Sequence, residues 1–307
     1  MMTLEEFTTK KEEFLIFLDV EKNLALNTQR AYFGDLKQFT QFWAKINTAE
    51  KNIHIFSAIE RFLVSLYNKK INKSSIARKL SCLKSFEKYV QTDGISLNLN
   101  LKRPKIDKKL PVYLTIDEML HLLDNVKTSD LPSKFPLRDK AILELLYATG
   151  IRCSELINIK LKDINSEQKT ILIYGKGRKE RIVLFGSKAH EKLLQHLLHE
   201  RQKTKTTDEY LFLNHRGGQL TSRSVQRIIQ MFRQFLKIDK FISPHKIRHS
   251  FATHLINQGV DIRIVQELLG HKNIASTEKY THVSQEHLAK LFDTIHPLHT
   301  ILKRKDD

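Results

Sequence analysis

The chain has 307 residues, 41% of them hydrophobic, enough for two domains with cores of their own and too apolar for a chain disordered by composition. Its 52 Lys and Arg against 34 Asp and Glu give a formal charge of +18. That excess favours a polyanionic partner, nucleic acid before others, without separating DNA from RNA, although a basic protein with no such partner has the same composition. The two cysteines, Cys82 and Cys153, sit beside apolar residues and are expected as reduced, part-buried thiols, not as a disulfide or metal site. Met1 to Phe7 lacks the apolar core of a signal peptide, and no apolar run reaches membrane-spanning length. The expectation is a cytoplasmic protein with no membrane partner.

Residues 1–100 read as four amphipathic helices. Leu4, Phe7, Phe14, Leu15 and Leu18 outline the first stripe. Asn27 is the expected cap of a second helix carrying Tyr32, Leu36, Phe39 and Trp43. A third is expected after Ser57, with Ile59, Phe62, Leu63 and Leu66 on one side. Ser74 or Ser75 is placed to start the fourth, which carries Ile76, Leu80, Leu83 and Phe86 and stops at Gly94. The segment 101–111 is basic, contains Pro104 and Pro111 and lacks periodicity. It reads as an interdomain linker, either lying on a duplex backbone or simply solvated.

Residues 112–307 read as mainly helical with one β element. Thr170–Tyr174 and Arg181–Phe185 form a hairpin whose tip carries Lys176 between two glycines. Pro244 opens a helix that sets His245 and Arg248 three apart on one face. Leu268-Leu-Gly270 has the form of a helix end, followed directly by His271. Tyr280 lies in a polar stretch. Ser284 then caps an expected last helix bearing Leu288, Leu291, Phe292 and Ile295 and halted by Pro297.

Five of these residues, with Arg152 after the Thr149-Gly150-Ile151 break, make a chemical set: Arg152, Lys176, His245, Arg248, His271 and Tyr280. Cations, imidazoles and a phenol suit attack by a tyrosine oxygen on a phosphodiester, where negative charge grows on the phosphate and the leaving oxygen. Glu155, one helical turn past Arg152, is spaced to orient its guanidinium, though a plain surface Arg–Glu pair has the same spacing. Lys176 is either a proton donor or one more basic contact in its loop. His245 and Arg248 belong to a phosphate site or to a basic helix start that touches DNA backbone. His271 alone is as well read as a local cap, and Tyr280 as a half-exposed aromatic. His249 and His254 fall elsewhere and are expected to be structural.

Ala148-Thr-Gly-Ile-Arg-Cys-Ser-Glu155, Gly175-Lys-Gly177, His245-Lys-Ile-Arg248, Leu268-Leu-Gly-His271 and Tyr280 together resemble the boxes of the tyrosine recombinases, most of all the bacterial Xer site-specific recombinases. Glu21 to Leu36 and Ile76 to Ser81 are similar to the family's core-binding domain. The resemblance implies a mainly α fold. An N-terminal four-helix SAM-like core-binding domain (1–100) is joined by the linker (101–111) to a catalytic domain (112–307), mostly helical with a small antiparallel sheet and a C-terminal exchange helix. It implies that Tyr280 is the nucleophile, that Arg152 and Arg248 clamp the scissile phosphate and that His271 is a further donor. Lys176 is then the general acid, His245 assists proton transfer, and Glu155 supports the site. Thr28, Arg30, Lys73, Ser75 and Arg78, with Arg178 and Lys246, would face DNA. Neither metal nor nucleotide cofactor is implied. The implied partners are a double-stranded recombination site, like recombinases in a homo- or hetero-tetramer, and a DNA translocase as activator. The implied role is resolution of chromosome or plasmid dimers at cell division through a Holliday junction. An integrase or transposase of a mobile element, a type IB topoisomerase and a non-catalytic DNA binder draw on the same residues.

Overall fold

In the computed structural model the chain divides into two compact units, Met1–Leu110 and Pro111–Asp307. The structure describes residues 2–22, 24, 26–50, 52–99, 101, 104–105, 113–175, 180–202 and 208–270. Lys176, Arg178, His271, Tyr280, the helix expected after Ser284 and most of the linker lie outside them. The fold is mainly helical with one small antiparallel sheet.

The first unit holds α1 (Leu4–Val20), α2 (Leu26–Ala49), α3 (Ile55–Asn68) and α4 (Lys73–Thr92). A reciprocal cap between Thr3 and Glu6 starts α1. Phe7, Phe14, Leu18, Leu36, Phe39, Trp43, Phe62, Leu80 and Phe86 are buried together. Phe7 lies edge-on to Phe39 and Phe86 at centroid distances of 5.3 and 4.8 Å. The indole N–H of Trp43 donates to Ile53 O at 3.0 Å, so this large side chain is buried without an orphaned donor. Gly94, at φ +75°, ends the unit's last helix in the left-handed region as expected.

Three helix starts differ from the sequence reading. α2 begins at Leu26, so Asn27 lies in its first turn and is not its cap. α3 starts two residues before Ser57, after His54, which gives no side-chain cap. Asn72, not Ser74 or Ser75, caps α4 by accepting from Ser74 N at 3.0 Å. Asn and Ser cap equally well, and burial of Ile55 and Ile76 sets where each helix must begin.

Of the residues expected to face DNA here, Arg30 and Lys73 are exposed, and Thr28 and Ser75 are half-buried. Arg78 is exposed too, yet its Nη1 is held by Asp35 and by Ala31 O. Buried Asp35 also takes Lys79 Nζ at 2.7 Å, and Lys79 reaches Gln38 Oε1 at 2.6 Å. This charge cluster joins α2 to α4 with each buried ion paired.

The second unit holds α5 (Ile116–Asp124), α6 (Pro136–Thr149), α7 (Cys153–Leu156), β1 (Ile164–Asn165), β2 (Thr170–Tyr174) and β3 (Glu180–Leu184). α8 (Ser187–His196), α9 (Ser222–Phe235), α10 (Pro244–Asn257) and α11 (Ile262–Leu268) follow among the described residues. The sheet runs β1-β2-β3, with Ile171 opposite Val183 and Ile173 opposite Arg181. β3 starts one residue before the expected Arg181 and ends before Phe185. Two-residue β1 is too short to carry a period and was not expected.

Nearly all of α6 is buried, Arg138, Asp139, Glu144 and Thr149 included. Arg138 donates to Asp139 Oδ1 and to Leu213 O. Glu200, far along the chain, accepts Leu137 N at 3.0 Å and Arg138 N at 2.7 Å, satisfying the helix's first donors. Glu144, 2% exposed, has no hydrogen-bond partner for Oε1 among the described residues. Burial pushes its carboxyl up to about 7 from 4.5. The folded protein therefore keeps this proton after the unfolded chain has released it. Stability falls as pH rises from about 4.5 to about 7, and the loss remains above that window. Glu144→Gln is expected to remove that slope and to exceed the parent by roughly 2–3 kcal/mol at pH 8 relative to pH 4.5, read by urea unfolding. A variant with the parent's pH profile would contradict this.

Candidate active site

The site begins where α6 ends. Gly150 is left-handed, at φ +60°, and its N–H donates to Leu146 O at 3.1 Å. A Cβ here would stand 2.4 Å from Phe251 Cδ1 and 3.0 Å from Leu269, so both backbone angle and space demand glycine. The turn sends Ile151 into the core and Arg152 outward, with 44% of the arginine side chain exposed.

Arg152 precedes α7, and Glu155 reaches back to it. The carboxylate accepts Arg152 N at Oε2 (2.8 Å) and Arg152 Nη1 at Oε1 (2.9 Å), the pairing expected from their spacing. Glu155 is itself buried and also takes both terminal nitrogens of Arg181, at 2.9 and 2.8 Å. Burial alone would raise this carboxyl. The hydrogen bonds from Arg181 and Arg152 outweigh it and hold Glu155 below the usual range, ionised.

Arg248 arrives from α10. Ser243 caps that helix by accepting from Lys246 N, and Pro244 takes its first position as expected. The Arg248 guanidinium, 7% exposed, donates to Gly150 O at 2.5 Å and to Leu269 O at 2.6 Å. It thus clips the end of α6 to the end of α11, reaching 98 positions back to one and 21 positions on to the other. Burial first, then the positive charges of Arg152 and Arg181, pull its pKa down to about 10, which leaves it charged at neutral pH. His245, one turn earlier, is exposed. Lys246 Nζ donates to Phe241 O at 2.7 Å and sits over the Phe241 ring, so this residue expected on DNA is engaged locally.

His254 has the structural part expected of it. Buried, with its pKa lowered by desolvation, it is neutral: Nε2 donates to Leu114 O at 2.8 Å, leaving Nδ1 to accept the Tyr147 hydroxyl at 2.8 Å. Ser250 fixes the same segment, just before α5, by accepting Leu114 N.

Two features escaped the sequence reading. Arg181 was taken as the first apolar-strand residue, although in a two-residue alternation it shares the inward face with Val183 while Ile182 points out, 55% exposed. A lone cation on an inward strand position was the available signal. α9 buries Val225, Ile229 and Phe232 and lines a shallow surface groove with Arg223, Gln226, Arg227 and Gln230, the amide and guanidinium groups suited to base edges.

The described site therefore brings three guanidiniums around one carboxylate, a net positive surface fit for a phosphate diester. Among the described residues no group of three or more His, Cys, Asp or Glu is placed to hold a metal. None of the described helices is long and apolar enough to cross a membrane.

Residues 112–287 match the profile of the phage integrase family, and residues 12–94 match that of the phage integrase N-terminal SAM-like domain. The tyrosine recombinase XerC of Oceanobacillus iheyensis is 38% identical over 293 residues, covering 93% of this chain and 95% of that protein. The tyrosine recombinase XerD of Staphylococcus haemolyticus is also 38% identical, covering 93% and 98%. A crystal structure of the XerH site-specific recombinase bound to its difH substrate, before cleavage, superposes with a TM-score of 0.68 at 25% identity, over 92% of this chain and 84% of that one. A lambda integrase dimer on a core site shares the fold, with a TM-score of 0.63 at 18% identity, over 87% and 95%.

Proposed function

This chain belongs to the phage integrase family, the DNA-cleaving and rejoining tyrosine recombinases, and from that premise we propose that it is an Xer-type recombinase acting at a specific duplex site. The observation that carries this reading is the convergence of Arg152 and Arg248, joined through Gly150 and close enough for one charge to depress the other's pKa. Glu155 offsets only one of the clustered guanidiniums of Arg152, Arg181 and Arg248, so the site keeps a positive excess, and a scissile phosphate is an anion that balances it.

In the proposed reaction the Tyr280 oxygen attacks phosphorus while His245 assists removal of its proton. The bond from phosphorus to the 5′ oxygen breaks, and Lys176 supplies the proton that makes a 5′ hydroxyl. Arg152, Arg248 and His271 hold the non-bridging oxygens as charge builds. The 3′-phosphotyrosyl bond retains the diester's energy, so a 5′ hydroxyl from another strand reverses the steps and reseals DNA without nucleotide or metal. Residues 1–100 act as the core-binding domain, 101–111 as linker and 112–307 as the catalytic domain. Thr28, Arg30, Lys73, Ser75, Arg78, Arg178 and Lys246, with Arg223 and Arg227 of α9, supply cations and polar groups for the duplex. Four subunits on two duplexes exchange strands through a Holliday junction, the last helix of each seated on its neighbour. In the cell this resolves chromosome or plasmid dimers in the cytoplasm, under a translocase.

The test is a plasmid carrying two direct repeats of a site captured from host DNA. The expected products are two resolved circles. Relaxed plasmid alone, irrespective of sequence, would instead mark a type IB topoisomerase.

A further inference from the structure

We infer that Arg181 is a positioning residue for the cleavage reaction, acting through Glu155 to keep Arg152 free for phosphate; this rests on the proposed function. Each Glu155 oxygen is shared. Oε1 takes Arg152 Nη1 and Arg181 Nη1, and Oε2 takes Arg152 N and Arg181 Nη2. A buried carboxylate beside a single arginine takes that guanidinium in a two-point fork and cancels its charge. Here the fork goes to Arg181, only 18% exposed, and the Arg152 side chain keeps one contact. Arg181 therefore neutralises Glu155 on behalf of Arg152, whose remaining donors stay outward.

The same guanidinium meets two other segments that carry site residues. Arg181 sits near the loop end of the β2–β3 hairpin, opposite Ile173 and one pair in from Tyr174–Glu180, and the loop between these strands contains Lys176. Gly270, directly before His271 in the chain, lies bare against it, and a Cβ there would be 3.1–3.2 Å from Arg181 Nη1, Cδ and Cζ. One side chain thus sets the spacing of the Arg152 turn, the loop end of the hairpin and the turn leading to position 271.

Single-turnover cleavage of a nicked duplex carrying the captured host site tests this. Arg181→Ala is expected to lower the maximal rate about 30- to 100-fold while the half-saturating duplex concentration moves less than about threefold. In an Arg152→Ala background the same change is expected to cost less than about threefold, because the residue it positions is gone. Arg181→Lys, which keeps the charge without the fork, is expected to restore the rate only in part, and carries the comparison if the alanine variant does not fold. The inference is overturned by an Arg181→Ala or Arg181→Lys enzyme at the parent's rate, or by the full loss recurring without Arg152. Should the parent form no covalent adduct with any host fragment, the proposed function fails, and the Arg152 guanidinium ¹⁵N resonances decide the positioning role. They are expected to shift in Arg181→Ala, and unchanged resonances would refute it.

Discussion

Tyr280→Phe is expected to abolish covalent attachment to DNA and all strand exchange while duplex affinity stays within about threefold of the parent. The substitution removes one oxygen and keeps the ring, so it deletes the proposed nucleophile with the smallest change in side-chain volume. Affinity resides in the cations, of which the chain has 52 among Lys and Arg, and a phenol contributes no charge to that sum. Cleavage has no substitute for the lost nucleophile. Activated water would leave a hydrolysed end, not a joint, so any residual reaction would appear as a nick and not as recombination. Retained recombination in Tyr280→Phe would remove this residue from the chemistry.

The second large effect is expected at Arg248. Its alanine variant loses a cation and also two hydrogen bonds, to Gly150 O and Leu269 O. Those carbonyls then lack their partner in a buried place, at roughly 2–4 kcal/mol, read as a lower midpoint in urea. Single-turnover cleavage is expected to fall about a thousandfold, more than the stability change explains, since the protein remains folded at assay temperature. Arg248→Lys keeps the charge, yet one ammonium does not reproduce a planar fork bridging two carbonyls. It is expected to recover more stability than rate. Equal recovery of both would assign Arg248 a purely structural part.

What the sequence made legible follows from the range of the forces involved. Helix faces in the first unit were readable because Phe7, Phe14, Leu18 and their partners recur at the helical period. Their starts were misplaced because Asn27, Asn72, Ser74 and Ser75 are all competent caps, and only packing chooses among them. The Arg152–Glu155 pair was readable at one helical turn. The Arg248 contacts with Gly150 and Leu269 were not, since they join segments 98 and 21 positions away through tertiary packing. Arg181 was hidden for another reason: a charged residue on an inward strand position looks like a strand edge until the carboxylate it serves is placed beside it. Lys176, His271 and Tyr280 stand on sequence order alone, and their roles are proposals that cleavage chemistry must decide.

The most direct test is to trap the protein on a nicked suicide duplex bearing the captured site, digest the adduct and map the modified residue by mass spectrometry. The expected result is a phosphotyrosyl bond from Tyr280 to a 3′ phosphate, formed in EDTA and without nucleotide. An adduct on another residue, or cleavage that requires a divalent metal and leaves no protein on DNA, would contradict the account.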